Sequence, residues 1–327
     1  MGSGHWSSST FDNVTRARME AGSNFSYDRD VKQGRAQGPH PDLDPSLAGA
    51  DGRNIRESRD NPDHPLSTPI VVGFDSTGSM GSVPRTVQAK LSRLFGLLMG
   101  RAYATDPQIC IATYGDATCD RVPLQVSQFE SDNRIDENLD HLYLEGGGGG
   151  NNGETSQLLF YYLAHHTATD AWDKRRKRGY AFIIADEKQV PIKSSHVRRF
   201  IGDRKPLGPV DERSLAQAVS ERWDVKILLI DNYSAQMQHS REYYSALFGD
   251  RAIIDIQDPA AIAETIAAVI GFEEGRAAED IREDLLRAAG PEVARAIEAG
   301  MTRRAIDAGS GGGYGAGPDG HRGGFRR

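Results

Sequence analysis

Cysteine is almost absent: Cys110 and Cys119 are the only two in 327 residues. Two cannot build a disulfide framework, and they point to reduced thiols in a cytosolic protein. Long apolar runs are missing as well, and no stretch approaches the ~20 residues that a membrane span needs. The first thirty residues are Ser, Asn, Gly and charge, without the pairing of basic and apolar segments that marks a signal peptide. A soluble, cytoplasmic chain with no membrane partner is therefore expected. Positive charge is in deficit, with a formal net charge of −7. That balance argues against nucleic acid as a partner, because counterion release needs a basic surface. Apolar residues are scarce too, at 38% with a mean hydropathy of −0.53, so part of the length should lie outside any packed core.

Glycine is what the chain has in excess, 36 residues, concentrated at 146–150 and beyond Gly309. Residues 1–66 hold few aliphatics and form an N-terminal arm. Ser and Thr offer N-caps for a short helix over about 9–20, and 32–65 shows no periodicity. Two readings stay open for the arm: disorder, or irregular chain wrapped on a domain.

The texture changes at Pro69. Ile70-Val71-Val72-Gly73-Phe74 is a short continuous apolar run, as expected for a strand buried on both faces. Strands are expected again at 108–114, 123–129, 180–185, 225–230 and 252–256. Helical spacing occupies 83–101, 155–167, 195–201, 211–223, 240–248 and 259–270. This alternation predicts an α/β fold with a mostly parallel sheet covered by helices on both faces, spanning 67–275. Residues 276–308 have helical spacing broken at Gly290-Pro291 and read as a helical extension. The Gly-rich tail, 309–327, reads as disordered.

In such a sheet, ligands sit beyond the carboxyl ends of the strands, near the point where strand order reverses. The first strand runs into Asp75-Ser76-Thr77-Gly78-Ser79-Met80. Residues at i, i+2 and i+4 of an extended loop project to one side, so Asp75, Thr77 and Ser79 converge. One carboxylate and two hydroxyls are all-oxygen chemistry, suited to Mg²⁺, alternatively Mn²⁺ or Ca²⁺, and unsuited to Zn²⁺. Asp186 stands after the fourth strand, where a second acid could complete the site. Asp116 ends the second strand on the same edge, either behind the ligands or as a brace for the loops.

The string from Val71 to Met80 resembles the Asp-x-Ser/Thr-x-Ser motif of von Willebrand factor A domains, the metal-ion-dependent adhesion site. The resemblance covers 67–275. It implies a Rossmann-like, doubly wound sheet with one antiparallel edge strand, whose metal keeps a position open for a partner's carboxylate. Asp75, Thr77 and Ser79 are then the motif residues, and Asp186 matches the family's later aspartate. The family also supplies a threonine from a middle loop after glycines. Here Gly146–Gly150 run into Asn151-Asn152-Gly153-Glu154-Thr155, so the hydroxyl comes late. Thr155 is preferred as the ligand with Asn151 the alternative, and Asn151 and Glu154 are similar in position to the Asp and Glu of a Gly-Gly-Gly-Asp-x-Pro-Glu variant.

Plainer readings stand beside these. Asp, Thr and Ser cap helices without metal. Gly148–Thr155 has the spacing of a phosphate-binding loop, but Glu154 holds the lysine position and would repel phosphate. His165 and His166 are helix neighbours that point apart. The run Lys174-Arg175-Arg176-Lys177-Arg178 reads as a solvated connector. No nucleophile–base pair and no second acidic cluster of two-metal type is visible, so the chain is not expected to be an enzyme. The expected function is a metal-dependent protein–protein interaction module, an adaptor or scaffold gripping a partner's Glu or Asp. Relatives of this type suggest a MoxR-type AAA+ ATPase as that partner. The alternatives are a structural component of a larger assembly with a purely stabilising metal, using arm and tail as contacts, or a Mg²⁺-dependent hydrolase.

Overall fold

The computed structural model describes residues 4–20, 25–48, 54–76, 83–145, 153–187, 189–230 and 235–297, the last apart from 293 and 296. Two helices, α1 (Ser8–Glu20) and α2 (Ser26–Lys32), and a short strand, β1 (Arg56–Ser58), precede the first long strand, β2 (Thr68–Asp75). The chain continues through α3 (Val83–Gly100), β3 (Pro107–Tyr114), β4 (Leu124–Val126), α4 (Arg134–Asp140) and α5 (Ser156–His165). Then come β5 (Thr167–Thr169), α6 (Asp170–Arg175), β6 (Gly179–Ala185), α7 (Ser194–Phe200), α8 (Glu212–Arg222) and β7 (Trp223–Ile230). The last elements are α9 (Ala235–Phe248), β8 (Ile253–Ile256), α10 (Ile262–Glu273) and α11 (Ala278–Ala289).

Six strands form one sheet in the order β4-β3-β2-β6-β7-β8, with only β4 antiparallel. The mostly parallel α/β sheet with one antiparallel edge strand is therefore as the sequence implies. Every residue of β2, β3 and β6 is buried, the outcome for strands covered on both faces. Side-chain alternation splits the core into two layers. Ile70, Val72 and Phe74 face α3, α10 and α11 together with Ile109, Ile111, Phe182 and Ile184. Val71, Cys110, Ala181 and Ile183 face α5, α8 and α9. Helix α5 lies close on the sheet because Gly73 leaves room for it: a Cβ there would stand 2.6 Å from Leu159 Cδ2.

From β2 the chain winds outward to β3 and β4, then returns to the other side of β2 for β6, β7 and β8. Strand order therefore reverses between β2 and β6, which places the crevice of this sheet at their carboxyl ends.

Residues before β2 pack on the domain. Phe11, Phe25 and Leu43 are buried in the same core layer as α3 and α10, and the Trp6 ring stacks on Phe95 at 4.4 Å between centroids. Strand β1 pairs in parallel with β5 as a second, two-stranded sheet. Neither strand is expected from sequence, since Arg-Glu-Ser and Thr-Ala-Thr carry no apolar alternation. The expected helix over 155–167 stops at His165 because 167–169 is taken up by that pairing. The 259–270 helix opens instead as a 3-10 turn, Pro259–Ala261, in which Asp258 Oδ1 accepts from Ala260 N at 2.8 Å.

The basic run 174–178 serves this packing. Arg175 pairs with Asp60 at 2.7 Å, Lys174 with Asp60 at 3.3 Å and Asp170 at 2.7 Å, and Lys177 with Glu274 at 2.6 Å. Burial opposes ionisation of Asp60, but hydrogen bonds from Arg175, Ser67 and Lys174 outweigh it and hold the carboxyl well below the usual range. A depressed folded-state pKa contributes stability above the unfolded value near 3.8, and that contribution is lost as pH falls through the folded value. Asp60→Asn is expected to cost about 1–2 kcal/mol at pH 7. In urea denaturation the gap to wild type should narrow below about pH 4; a gap independent of pH would contradict the ion-pair account.

Candidate functional site at the carboxyl ends of β2 and β6

Asp75 is the last residue of β2 and is completely buried. The next residue, Ser76, donates its amide to Tyr114 O at 2.9 Å, and its hydroxyl reaches the same oxygen at 3.3 Å. The Ser76 side chain is thus committed to β3, as the i+1 position of an alternating loop should be. Thr77 and Ser79, the other two motif residues, lie outside the described residues, as does Asn151.

Asp186 follows β6, whose Ile184 is in register with Phe74 of β2. Tyr114 links the three central strands here: it is in register with Asp75, and its hydroxyl donates to Ile184 O at 2.7 Å. A second phenol, Tyr244 of α9, is fully buried and receives a hydrogen bond from Gln189 Nε2 at 3.3 Å. Burial is the main cause that raises both phenols above their ordinary pKa. The charges of Asp75, Asp186 and Glu154 all act on each of them in the same direction. Three acids from three separate loops thus act on the same two buried phenols.

The loop before α5 is stitched to both neighbours. Thr155 donates its amide and its hydroxyl to Gly115 O, at 3.0 and 2.6 Å, and accepts from Ala117 N at 3.0 Å. One lone pair of the hydroxyl is left after these bonds. Glu154 forms an isolated parallel bridge with Gln189, and its carbonyl accepts from Val190 N at 2.8 Å. Asp116 closes its own turn: it accepts from Thr118 N at 2.8 Å and Thr118 Oγ1 at 2.7 Å, while its amide donates to Asp120 Oδ2 at 2.6 Å. This geometry makes it a brace of the β3–β4 loop.

Glu154 is strongly perturbed. Burial first, then the carboxylates of Asp75, Asp120, Glu187 and Asp116, push its carboxyl far above the ordinary range. Its Oε2 is buried with no hydrogen-bond partner among the described residues. A carboxyl whose folded pKa exceeds its unfolded value of 4.5 keeps its proton in the native state. The associated stability is complete below pH 4.5 and is lost as pH rises through the folded value. For metal-free protein this group should lower stability by about 1.4 kcal/mol per pH unit over roughly pH 5–7. Glu154→Gln is expected to remove that slope in thermal or urea denaturation. An unchanged slope would show that Glu154 is not the group taking up the proton.

The donors named so far are carboxylates and a hydroxyl, and Cys119 Sγ lies 3.2 Å from Asp116 Oδ2. Crowded buried carboxylates need protons or a cation, and an all-oxygen set selects a hard one. The residues present fit Mg²⁺, Mn²⁺ or Ca²⁺. Sequence reasoning missed Tyr114, Tyr244 and Asp120. Asp120 alone carried a local signal, four residues after Asp116 in a turn. The cysteines are both free, and burial pushes the Cys110 thiol up to about 12. Among the described residues, no helix is long and apolar enough to cross a membrane.

No protein-family model and no curated protein matches the chain. Among solved structures it is similar to the pilus adhesin SpaC from Lactobacillus rhamnosus GG, at 12% identity and a TM-score of 0.45, covering 66% of this chain and 32% of that one. It is also similar to proximal thread matrix protein 1 from the mussel byssus, at 9% identity and a TM-score of 0.40, covering 63% and 47%. The chain spans about a third of the adhesin and just under half of the byssus protein. At these values the likeness carries no argument about function.

Proposed function

We propose that the chain is a cytoplasmic adaptor or scaffold of von Willebrand factor A type, in which a divalent cation at the β2–β6 crevice is completed by an acidic residue of a partner protein. The observation that supports this reading is that Asp75 ends β2 and Asp186 follows β6 where strand order reverses, and that both, with Glu154, act on the buried Tyr114 and Tyr244. Asp75 and Asp186 would hold Mg²⁺, or alternatively Mn²⁺ or Ca²⁺, with the remaining lone pair of Thr155 and the hydroxyls of Thr77 and Ser79. The bound cation supplies an open Lewis-acid position for a carboxylate. The chain's own residues do the rest: Tyr114 ties β3 to β6 beneath the acids, Asp116 fixes the β3–β4 loop, and the Thr155 bonds to Gly115 and Ala117 hold the third loop against it.

The partner class we favour is a protein surface offering Glu or Asp, with a MoxR-type AAA+ ATPase as the example the family resemblance suggests. A chain acting by binding turns nothing over. Phosphoester hydrolysis abolished by loss of Asp75 would make it an enzyme instead. As for a purely structural role through arm and tail, the arm is already committed, since Phe11, Phe25 and Leu43 are spent in the core of the same chain. The direct test is a calorimetric titration of Mg²⁺ and Mn²⁺ into wild type and Asp186→Asn. Saturable binding at one site, weakened at least about tenfold in the variant, is expected. Equal affinity in both would sink the site.

A further inference from the structure

A second cluster of ligand-type side chains lies away from the crevice and shares no residue with it. His40 precedes the 3-10 turn Pro41–Leu43, and Asp42 sits inside that turn. His141 caps the C-terminus of α4. Asp42 Oδ2 stands 3.2 Å from His141 Nδ1 and 3.5 Å from His40 Nδ1. One ligand atom from each residue lies within 4.8 Å of the other two. A tetrahedral ion with bonds of ~2.0–2.1 Å needs its ligands about 3.3 Å apart, and the two carboxylate–imidazole distances already approach that spacing.

Two features argue against a simple ion pair. The imidazoles stack face to face, 3.7 Å between centroids and 15° from parallel. Two cationic rings would repel at that distance, and neutral imidazole is the form that ligates metal. His141 Nδ1 is also buried with no hydrogen-bond partner among the described residues, although Asp42 Oδ2 faces it at 3.2 Å. The anchor is firm: Leu43 is fully buried, and Tyr27 meets the His40 ring edge-on at 4.8 Å. Asp42 is exposed, which leaves room for water to fill further positions.

We propose that His40, Asp42 and His141 form a binding site for Zn²⁺ or a similar borderline divalent ion, clamping the N-terminal arm to the end of α4. Two imidazoles and one carboxylate suit Zn²⁺ and Co²⁺, whereas the all-oxygen crevice suits Mg²⁺. Lone pairs lie in the ring planes, so a shared ion requires one imidazole to turn about its Cβ–Cγ bond and open the stack. The Nδ1 of His40, which accepts from Asp42 N at 3.2 Å, must give up that bond or present Nε2 instead.

The test is titration of chelator-treated, tag-free full-length protein with Co²⁺, followed by its visible absorption, and then displacement by Zn²⁺. One equivalent with the strong visible absorption of a four- or five-coordinate site should bind and be displaced by Zn²⁺, beside the weakly coloured Co²⁺ that the all-oxygen crevice takes up. His141→Ala should weaken binding at least about tenfold, while Asp75→Asn leaves it unchanged. If circular dichroism shows that His141→Ala does not fold, Asp42→Asn provides the same reading from an exposed position. Loss in Asp75→Asn, equal affinity in His141→Ala or Asp42→Asn, or no Co²⁺ absorption in wild type would each overturn the site.

Discussion

Asp75→Asn is expected to lower Mg²⁺ affinity by roughly 100-fold or more, because ligand charge sets the affinity of an oxygen site. The same change should stabilise the metal-free protein by about 1–3 kcal/mol. Asp75 is completely buried at the end of a central strand and faces other carboxylates. Asparagine keeps its shape and removes the charge. The two effects have opposite signs, which separates this residue from one that is merely structural. Thermal melts with and without Mg²⁺ read both at once: wild type should gain from the cation, and the variant should start higher and gain nothing. A variant that melts lower in both conditions would mean that Asp75 serves the fold alone.

Gly179→Ala is expected to destabilise the chain by about 3 kcal/mol. A Cβ at this first residue of β6 would stand 2.7 Å from Trp223 Cε3 and 2.9 Å from Pro69 Cγ. Both neighbours are rings and neither can fold away. The Trp223 indole is itself pinned, with Nε1 donating to Leu163 O at 3.1 Å and the ring stacked over Phe129. Relief therefore requires β6 to move relative to β2 and β7, which also displaces Asp186 at its other end. Urea denaturation gives the stability, and a midpoint equal to wild type would show that the sheet yields at no cost. Weaker Mg²⁺ binding in the same variant would tie the packing at one end of β6 to the site at the other.

The long strands were legible because they are apolar on both faces, and the helices between them because their apolar residues recur at helical spacing. Asp75 and Asp186 stand out in the sequence as candidate ligands for a topological reason: each ends a strand that the alternation marks as central. The packing of the arm was not legible. Phe11, Phe25 and Leu43 are single apolar residues more than ten positions apart, so no periodic signal links them, yet all three enter one core layer. The β1–β5 pairing escaped for a similar reason, being two three-residue strands of polar composition. Tyr244 reaches the crevice from a helix almost sixty residues beyond Asp186, a contact that only the tertiary fold creates. Glu154 could be seen to exclude phosphate from the glycine loop, but its burial among other acids depends on three loops meeting. Thr77, Ser79 and Asn151 remain expectations from the motif.

The measurement that bears most directly on the central claim is capture of partner proteins from host lysate on immobilised wild type and Asp75→Asn, each in Mg²⁺ and in chelator. Proteins should be retained by wild type in Mg²⁺, released by chelator and absent from the variant, with retention lost when the partner's contacting Glu or Asp is neutralised. The same proteins retained in all four conditions, or none retained by wild type in Mg²⁺, would contradict the claim.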